Sequence, residues 1–170
     1  NDITFAFLAY NDTDVVPAYY EASDTHAGTA FMRSDKMSEA VKEAKQKANF
    51  VIVSMHAGNE YTDKPNDSQM SFAHQAIDAG AELVIGSHPH VVQPIEKYNG
   101  KYILYSLGNF IFDQDQSDEV KQGLVVKIYF DKTGVKRILP LPVSISDFSQ
   151  PEFLDGEKAE KVLGRLDYSL

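Results

Sequence analysis

The chain has 170 residues, of which 43% are hydrophobic and 11% aromatic, so it can bury one compact core. Its 25 acidic residues outnumber the 16 basic ones, and the net charge of −9 argues against a nucleic acid or an anionic membrane as partner. The sequence has no cysteine, which excludes disulfides, zinc–cysteine sites and thiol catalysis, and no apolar run approaches the roughly 20 residues of a membrane span.

The first half of the chain alternates predicted strands and helices. Apolar runs rich in β-branched residues predict the strands, and apolar residues with a helical period predict the helices. Ser38 is the expected N-cap of the first helix, and Asp67 and Gly80 are the expected N-cap and C-terminal stop of the second. The elements in order are a strand at 3–10, a long loop at 11–35, a helix at 38–48, a strand at 49–56, a helix at 67–80 and a strand at 81–86. This alternation predicts βαβ units on a parallel sheet.

After residue 90 the pattern changes to hairpins. Asn99-Gly100 lies between two short apolar runs and predicts a tight turn that joins two strands. A second hairpin is expected to turn at 131–134, and a helix is expected at about 155–167. No repeat or linker divides the sequence, so residues 1–170 are interpreted as a single domain, or as half of one.

Three histidines follow the ends of two predicted strands. His56 closes one apolar run, and the next run ends in Gly86-Ser-His88-Pro89-His90. The carboxyl ends of parallel strands meet at one edge of a sheet, where open α/β sheets bind ligands. In an extended segment His88 and His90 project to the same side, with Gly86 allowing a sharp turn and Pro89 stiffening the chain. Three converging imidazoles predict a site for zinc, manganese or iron, and hydrogen-bonded histidines at the sheet rim are the alternative.

The other two histidines have weaker cases for a functional role. His74 lies in the middle of a predicted helix, with Met70 and Ile77 about one turn away on either side, which favours a structural position. Asp24 and His26 have the Asp-x-His spacing that opens the metal site of dinuclear hydrolases. That motif normally ends a buried strand, whereas the residues before Asp24 do not form one, so we discount it.

Two further polar residues could complete a site at the predicted edge. Glu60 comes four residues after His56, in a loop that can reach the crevice. It is a candidate outer ligand, general acid or base, or orienter of an imidazole, and a solvated surface position is the alternative. Asn109 follows the apolar run "YILYSLG", where it either satisfies a turn or faces the site. Phosphate-binding glycine loops and a Gly-x-Ser-x-Gly elbow do not occur.

The segments "VIVSMHAGNEY" and "AIDAGAELVIGSHPHVVQPIEKYNGKYILYSLGNFIFD" closely resemble the bacterial capsule-biosynthesis CapA family, also called PgsA. The resemblance is dense between about residues 49 and 113. It implies a role in making and exporting poly-γ-glutamate. It also implies a mixed-sheet αββα sandwich of the calcineurin-like metallophosphoesterase type, with two mixed sheets and a metal site at the strand ends.

The resemblance also implies roles for individual residues. His56 resembles the lone histidine of the metallophosphoesterase ligand set, and His88 and His90 look like its Gly-His-x-His pair with one serine inserted. Glu60 matches the family's His-x-Gly-x-Glu block, and Asn109 matches its Ser-Leu-Gly-Asn-Phe block. A divalent ion (manganese, zinc or iron) would then be held by the histidines, with His56 or Glu60 handling protons. The remaining ligand blocks of that fold are expected outside this chain, which resembles the C-terminal half of the domain.

Three functions follow as hypotheses. The first is a component of poly-γ-glutamate capsule biosynthesis at the cell surface, extracytoplasmic and membrane-associated through a segment outside this chain. Its expected partners are capsule synthase membrane proteins, the polymer itself and the N-terminal half of the same domain. The second is a metal-dependent hydrolase of a phosphoester or of the γ-glutamyl polymer. The third is a plain globular domain without a site.

Overall fold

The computed structural model describes residues 3–167. It contains a five-stranded sheet, a three-stranded sheet and three α-helices within that range. The elements are β1 (Phe5–Asn11), α1 (Ser34–Lys45), β2 (Phe50–His56), α2 (Asp67–Ala79), β3 (Leu83–Ser87), β4 (Ile95–Tyr98), β5 (Lys101–Leu104), β6 (Gln122–Asp131), β7 (Gly134–Ser146), β8 (Gln150–Phe153) and α3 (Gly156–Leu163), with short 3₁₀ helices at Ala18–Tyr20 and Gly164–Leu166.

The larger sheet has the strand order β1-β2-β3-β5-β4. β1, β2, β3 and β5 run parallel, which confirms the predicted parallel sheet, and β4 pairs antiparallel with β5. The register places Asn11 opposite His56 and His56 opposite Ser87. The carboxyl ends of three neighbouring strands therefore lie side by side at one edge.

The molecule has three layers, and the larger sheet is the middle one. Helices α1 and α2 cover one face through Val41 and Phe72, which pack with Val53 of the sheet. The three-stranded sheet covers part of the other face, where Phe130 packs against the cluster around Leu83. Burying each such side chain contributes about 1.5–3 kcal/mol, so the two interfaces hold the layers together. The protein is thus a mixed α/β fold.

Within residues 3–167 only the five-stranded sheet is mixed, whereas the resemblance implied two mixed sheets. β6, β7 and β8 pair antiparallel throughout, because short turns join them and a short turn can only connect antiparallel neighbours. The predicted hairpin at Asn99-Gly100 is confirmed, with φ of +47° and +77° as a turn of this kind requires. The predicted hairpin at 131–134 joins β6 to β7.

The predicted helix caps need two corrections. Asn66, not Asp67, caps α2: its side chain accepts from the Gln69 N–H at 2.9 Å, and the Gln69 side chain accepts from the Asn66 N–H at 3.0 Å. This reciprocal pair satisfies two free N–H groups, which an Asp67 cap would not. Gly80 ends α2 with φ of +117°, as predicted.

Ser38 is not a cap either, because α1 begins a full turn earlier, at Ser34. Met37 and Val41 lie one turn apart and are both fully buried under the sheet. Because burial of Met37 is stabilising, it favours a helix that extends in the N-terminal direction past Ser38. No helix in residues 3–167 is long and apolar enough to cross a membrane.

Candidate metal centre

The three histidines predicted at the sheet edge lie together. His56 is the last residue of β2, and His88 and His90 follow the end of β3. The ring centroids of His56 and His88 are 4.8 Å apart, and those of His88 and His90 are 6.0 Å apart. The parallel register that aligns His56 with Ser87 produces this convergence.

The backbone path through these histidines differs from the extended segment predicted above. His88 has φ of +103° and His90 has φ of +61°, both in the left-handed region. A non-glycine residue held there costs about 1–3 kcal/mol and persists only when its surroundings impose it. The Pro89 carbonyl accepts a hydrogen bond from the Tyr61 N–H at 2.8 Å, which fixes the segment from the β2 side.

Gly86 has a different role from the predicted turn. It is a buried residue inside β3, and a Cβ on it would lie 1.9 Å from the Tyr105 carbonyl oxygen. Glycine therefore lets two backbone segments approach closely, while the chain turns two residues later, at His88.

Glu60, His88 and His90 form a compact set of metal-ligand atoms. Each offers one atom, and the three atoms lie within 4.8 Å of one another. The His90 Nε2 to Glu60 Oε1 distance is 3.8 Å, too long for a hydrogen bond. Two imidazoles and one carboxylate are a donor set that suits zinc, iron or manganese. His56 lies beside this set rather than within it, and its role as a ligand stays a prediction.

Asn109 orients His90. The Asn109 Nδ2 group donates to the Val120 carbonyl at 2.9 Å and to Gln114 Oε1 at 3.3 Å. Its Oδ1 atom therefore faces His90 Nδ1, 2.9 Å away, and accepts a hydrogen bond from the N–H at that position. This contact selects the tautomer whose lone pair lies on Nε2, the atom that faces Glu60. Metal-binding histidines are held in this way by a partner on the other nitrogen.

Burial at the site lowers the pKa values of two of its histidines, His56 and His88. Burial lowers the pKa of His56, and the neighbouring His88 and His90 lower it further. Burial also lowers the pKa of His88, although the carboxylates of Glu60 and Asp12 oppose this effect. Neutral imidazoles can bind a metal ion without first losing a proton.

Asp12 is a site residue that our sequence analysis missed. It directly follows β1, is 8% exposed, and its N–H donates to the His56 carbonyl at 2.9 Å. The Ser68 hydroxyl donates to its carboxylate at 3.3 Å. We selected the histidines because they are polar residues that follow a buried strand, and Asp12 meets the same criterion. The segment after Asp12 has no sequence pattern, so Asp12 was not selected.

A buried amide pair positions the loop that carries Glu60. Gln93 is 1% exposed, and its Nε2 donates to the carbonyls of Thr62 and Lys64, each at 2.9 Å. Its Oε1 accepts from Gln69 Nε2 at 3.0 Å. These contacts join the loop after β2 to α2 and to the segment after β3. No sequence signal marked either glutamine, because the contacts arise only from the fold.

The remaining histidines lie elsewhere. His74 contacts the buried carboxylate of Glu96 at 3.0 Å and stacks on the Tyr98 ring, which agrees with a structural position. Asp24 and His26 are both exposed, in a turn closed by backbone hydrogen bonds between Ser23 and His26. The discounted Asp-x-His motif therefore does not end a buried strand.

Comparisons with known proteins identify relatives of this chain. Residues 1–114, which include all the site residues above, match the family described as bacterial capsule synthesis protein PGA_cap. The chain is 37% identical over 147 residues to the PGA biosynthesis protein CapA of Bacillus subtilis (strain 168), covering 86% of this chain and 38% of that protein. It is 33% identical over 153 residues to the capsule biosynthesis protein CapA of Bacillus anthracis, covering 88% and 36%.

A probable polyglutamine synthesis accessory protein of Mycobacterium tuberculosis (strain ATCC 25618 / H37Rv) is 39% identical over 84 residues, covering 48% of this chain and 22% of that protein. The chain thus spans less than two fifths of the length of the Bacillus relatives. Its correspondence to the C-terminal half of a domain stays a prediction. The resemblance recognised in the sequence is confirmed, and the chain belongs to the bacterial capsule synthesis family PGA_cap.

Proposed function

We propose that this chain carries a divalent-metal site in a protein that takes part in poly-γ-glutamate capsule synthesis at the cell envelope. The family and the names of its Bacillus relatives support the process. The observation that carries the metal site is the set of Glu60, His88 and His90, whose ligand atoms lie within 4.8 Å of one another. The orientation of His90 by Asn109 supports the same conclusion.

Within this proposal each residue has a distinct task. His88, His90 and Glu60 would hold the ion, which when bound would polarise a substrate oxygen and acidify a water. His56 lies next to His88, and its lowered pKa leaves an imidazole that can accept a proton at neutral pH. The Ser87 hydroxyl, 3.1 Å from His56 Nδ1, restrains that ring. Asp12 adds negative charge behind His88.

A second candidate is metal-dependent hydrolysis of a phosphoester or of the γ-glutamyl polymer. The position of a neutral His56 beside the ligand set favours it, since hydrolysis needs a proton acceptor close to the ion.

The proposal extends to the fold type and to the whole protein. We place the fold in the calcineurin-like metallophosphoesterase type, with further ligands supplied by the rest of the polypeptide. On β1, Phe5 is 40% and Phe7 is 73% exposed beside the inter-sheet core, and we propose that the remainder of the domain covers them. Membrane-bound capsule synthase proteins would be the partners, with membrane attachment through another segment.

Elemental analysis of protein purified without chelator tests the site. The wild-type chain is expected to retain close to one equivalent of manganese, zinc or iron, and the His88→Ala/His90→Ala variant is expected to lose it. His26→Ala is the matched control, because it removes an exposed histidine away from the site and should leave the metal content unchanged. A folded wild-type chain without metal, or a double variant that keeps its metal, would contradict the proposal.

A genetic test addresses the process. In a capsule-forming bacterium that lacks its own family member, the whole protein should restore poly-γ-glutamate, and the same protein with His88→Ala/His90→Ala should not. Restoration by the double variant at equal protein levels would show that the polymer is made without this site.

A further inference from the structure

Asp12 is a buried carboxylate with no cationic partner in the described part of the chain. It is 8% exposed, and no lysine, arginine or histidine of residues 3–167 forms an ion pair with it. The carboxylate accepts from the hydroxyls of Ser68 at 3.3 Å and Thr13 at 3.4 Å, longer than the usual O–H···O distance of about 2.5–3.0 Å. A buried charge held only by long neutral contacts costs free energy, which a nearby cation would offset.

Asp12 lies close to the metal-ligand set because the parallel ladder continues past the strand ends. The Asp12 N–H donates to the His56 carbonyl at 2.9 Å, and the Ala57 N–H donates to the Ser87 carbonyl at 3.0 Å. By this register Ala57, which is fully buried, lies between Asp12 and His88, so their backbones are two strand spacings, about 10 Å, apart. The Asp12 carboxylate acts to raise the pKa of His88, against the effect of burial, so its charge reaches the ligand set.

Asp12 does not belong to the ligand set itself. Among the described residues, the ligand atoms that lie within 4.8 Å of one another are those of Glu60, His88 and His90. The Asp12 carboxylate instead faces the first turn of α2, where the Ser68 hydroxyl donates to it. An ion held by the ligand set would therefore interact with Asp12 through its charge rather than through a bond.

The ligand set alone does not balance the charge of a divalent ion. Histidines bind metal ions as neutral imidazoles, so Glu60 supplies the only formal charge among the three ligands. A divalent ion on this set would leave one positive charge uncompensated beside the partly buried rings of His88 and His90, which is unfavourable. The carboxylate of Asp12 brings the sum of these charges to zero.

We propose that Asp12 supplies the second negative charge for a divalent ion held by Glu60, His88 and His90, and does so without contacting the ion. The assignment rests on the metal site proposed above and extends it to a residue outside the ligand set. One carboxylate binds the ion and the other acts at a distance, and together they balance its two positive charges. In the metal-free chain Asp12 stays uncompensated, so the charge that favours the ion disfavours the metal-free fold.

Zinc titration of the metal-free chain, in competition with a chelator, gives the first of two readouts. Asp12→Asn keeps the shape of the side chain and removes its charge. It should weaken zinc binding by about tenfold or more, the range typical of residues just outside a ligand set. Asp12→Glu keeps the charge and should bind zinc more tightly than Asp12→Asn does.

Urea unfolding with chelator present gives the second readout. The urea midpoint of metal-free Asp12→Asn should be higher than that of the wild-type chain, because the variant no longer buries an uncompensated charge. The hydroxyls of Thr13 and Ser68 can accept from the new amide as well as donate to it, so no polar group is left without a partner. A residue with only a structural role would lower the midpoint when replaced, so the gain in stability and the loss of zinc affinity together identify a compensating charge.

Asp14→Asn is the matched control, since it removes the same charge from an exposed position two residues later and should change neither readout. Zinc binding by Asp12→Asn as tight as that of the wild-type chain would overturn the role of Asp12 and leave the metal site standing. A metal-free Asp12→Asn chain that unfolds at lower urea, or that does not fold, would also overturn it. A folded wild-type chain that binds no zinc, manganese or iron would instead contradict the metal site itself, and the role of Asp12 with it.

Discussion

The environments of two histidines, His74 and His90, differ in whether a ring nitrogen is available to a ligand. His74, on α2, faces the buried carboxylate of Glu96 at 3.0 Å and stacks on the Tyr98 ring with centroids 3.9 Å apart. Glu96 also accepts the Tyr105 hydroxyl, so this cluster is closed within the chain. The His90 Nδ1–H group donates a hydrogen bond to Asn109. The His90 Nε2 atom faces Glu60 at a distance too long for a hydrogen bond. The Nε2 atom of His74 is thus used by a carboxylate of the chain, whereas the Nε2 atom of His90 is placed to bind an ion.

The largest expected effect is on the closed cluster. Glu96→Ala should lower the free energy of unfolding by about 3 kcal/mol, because it leaves His74 and the buried Tyr105 hydroxyl without their shared acceptor. Urea unfolding measures the loss, and metal content per folded molecule should stay the same. Glu60→Ala is the matched control and should do the reverse, with little change in stability and loss of metal. Loss of metal in folded Glu96→Ala would contradict this prediction, because it would show that the cluster around Glu96 also supports metal binding.

The second prediction concerns the contribution of Asn109 to metal affinity. Asn109→Ala should weaken metal binding by about 10- to 100-fold, because the His90 ring loses the acceptor that fixes its tautomer. Competition with a chelator measures the affinity. Gln114→Ala is the control, because it removes a neighbour of Asn109 but leaves the contact with His90 intact. If both variants bind metal equally well, Asn109 stabilises the turn and does not contribute to metal binding.

Sequence reasoning could predict the convergence of the histidines but not how they are held. His56 and His88 follow apolar runs whose period encodes parallel strands, and the edge where such strands end follows from topology. Asp12 obeys the same rule, yet a long unpatterned loop obscured it. Gln93 acts through backbone carbonyls about 30 positions away, and such long-range contacts leave no local pattern.

The backbone angles of His88 and His90 could likewise not be predicted from the sequence. A His-Pro-His segment after a strand favours an extended path, because Pro89 disfavours helix and restricts the residue before it. Both histidines instead have positive φ, in a segment where Gly86 packs closely against Tyr105 and the Tyr61 N–H donates to the Pro89 carbonyl. Local preference was overridden at the candidate site, where such departures are expected.

That strain provides the third prediction. His88→Gly should raise the free energy of unfolding of the metal-free chain by about 0.5–1 kcal/mol, since glycine tolerates φ of +103° and histidine does not. His88→Ala keeps the strain and is the control, so it should not gain stability. Both variants should lose metal. A glycine variant no more stable than the alanine variant would mean that the backbone at residue 88 is relaxed and that the site stores no strain.

The smallest effect is a dependence of stability on pH. Burial holds the pKa values of His56 and His88 below the ordinary value of 6.5, which both imidazoles regain on unfolding. The unfolded chain therefore binds more protons as the pH falls below 6.5, so acidification lowers the free energy of unfolding. Urea unfolding between pH 8 and about pH 5 with chelator present measures this, because carboxylates titrate mainly below that range. His56→Gln/His88→Gln should flatten the dependence. An unchanged slope in that variant would place the acid sensitivity outside His56 and His88.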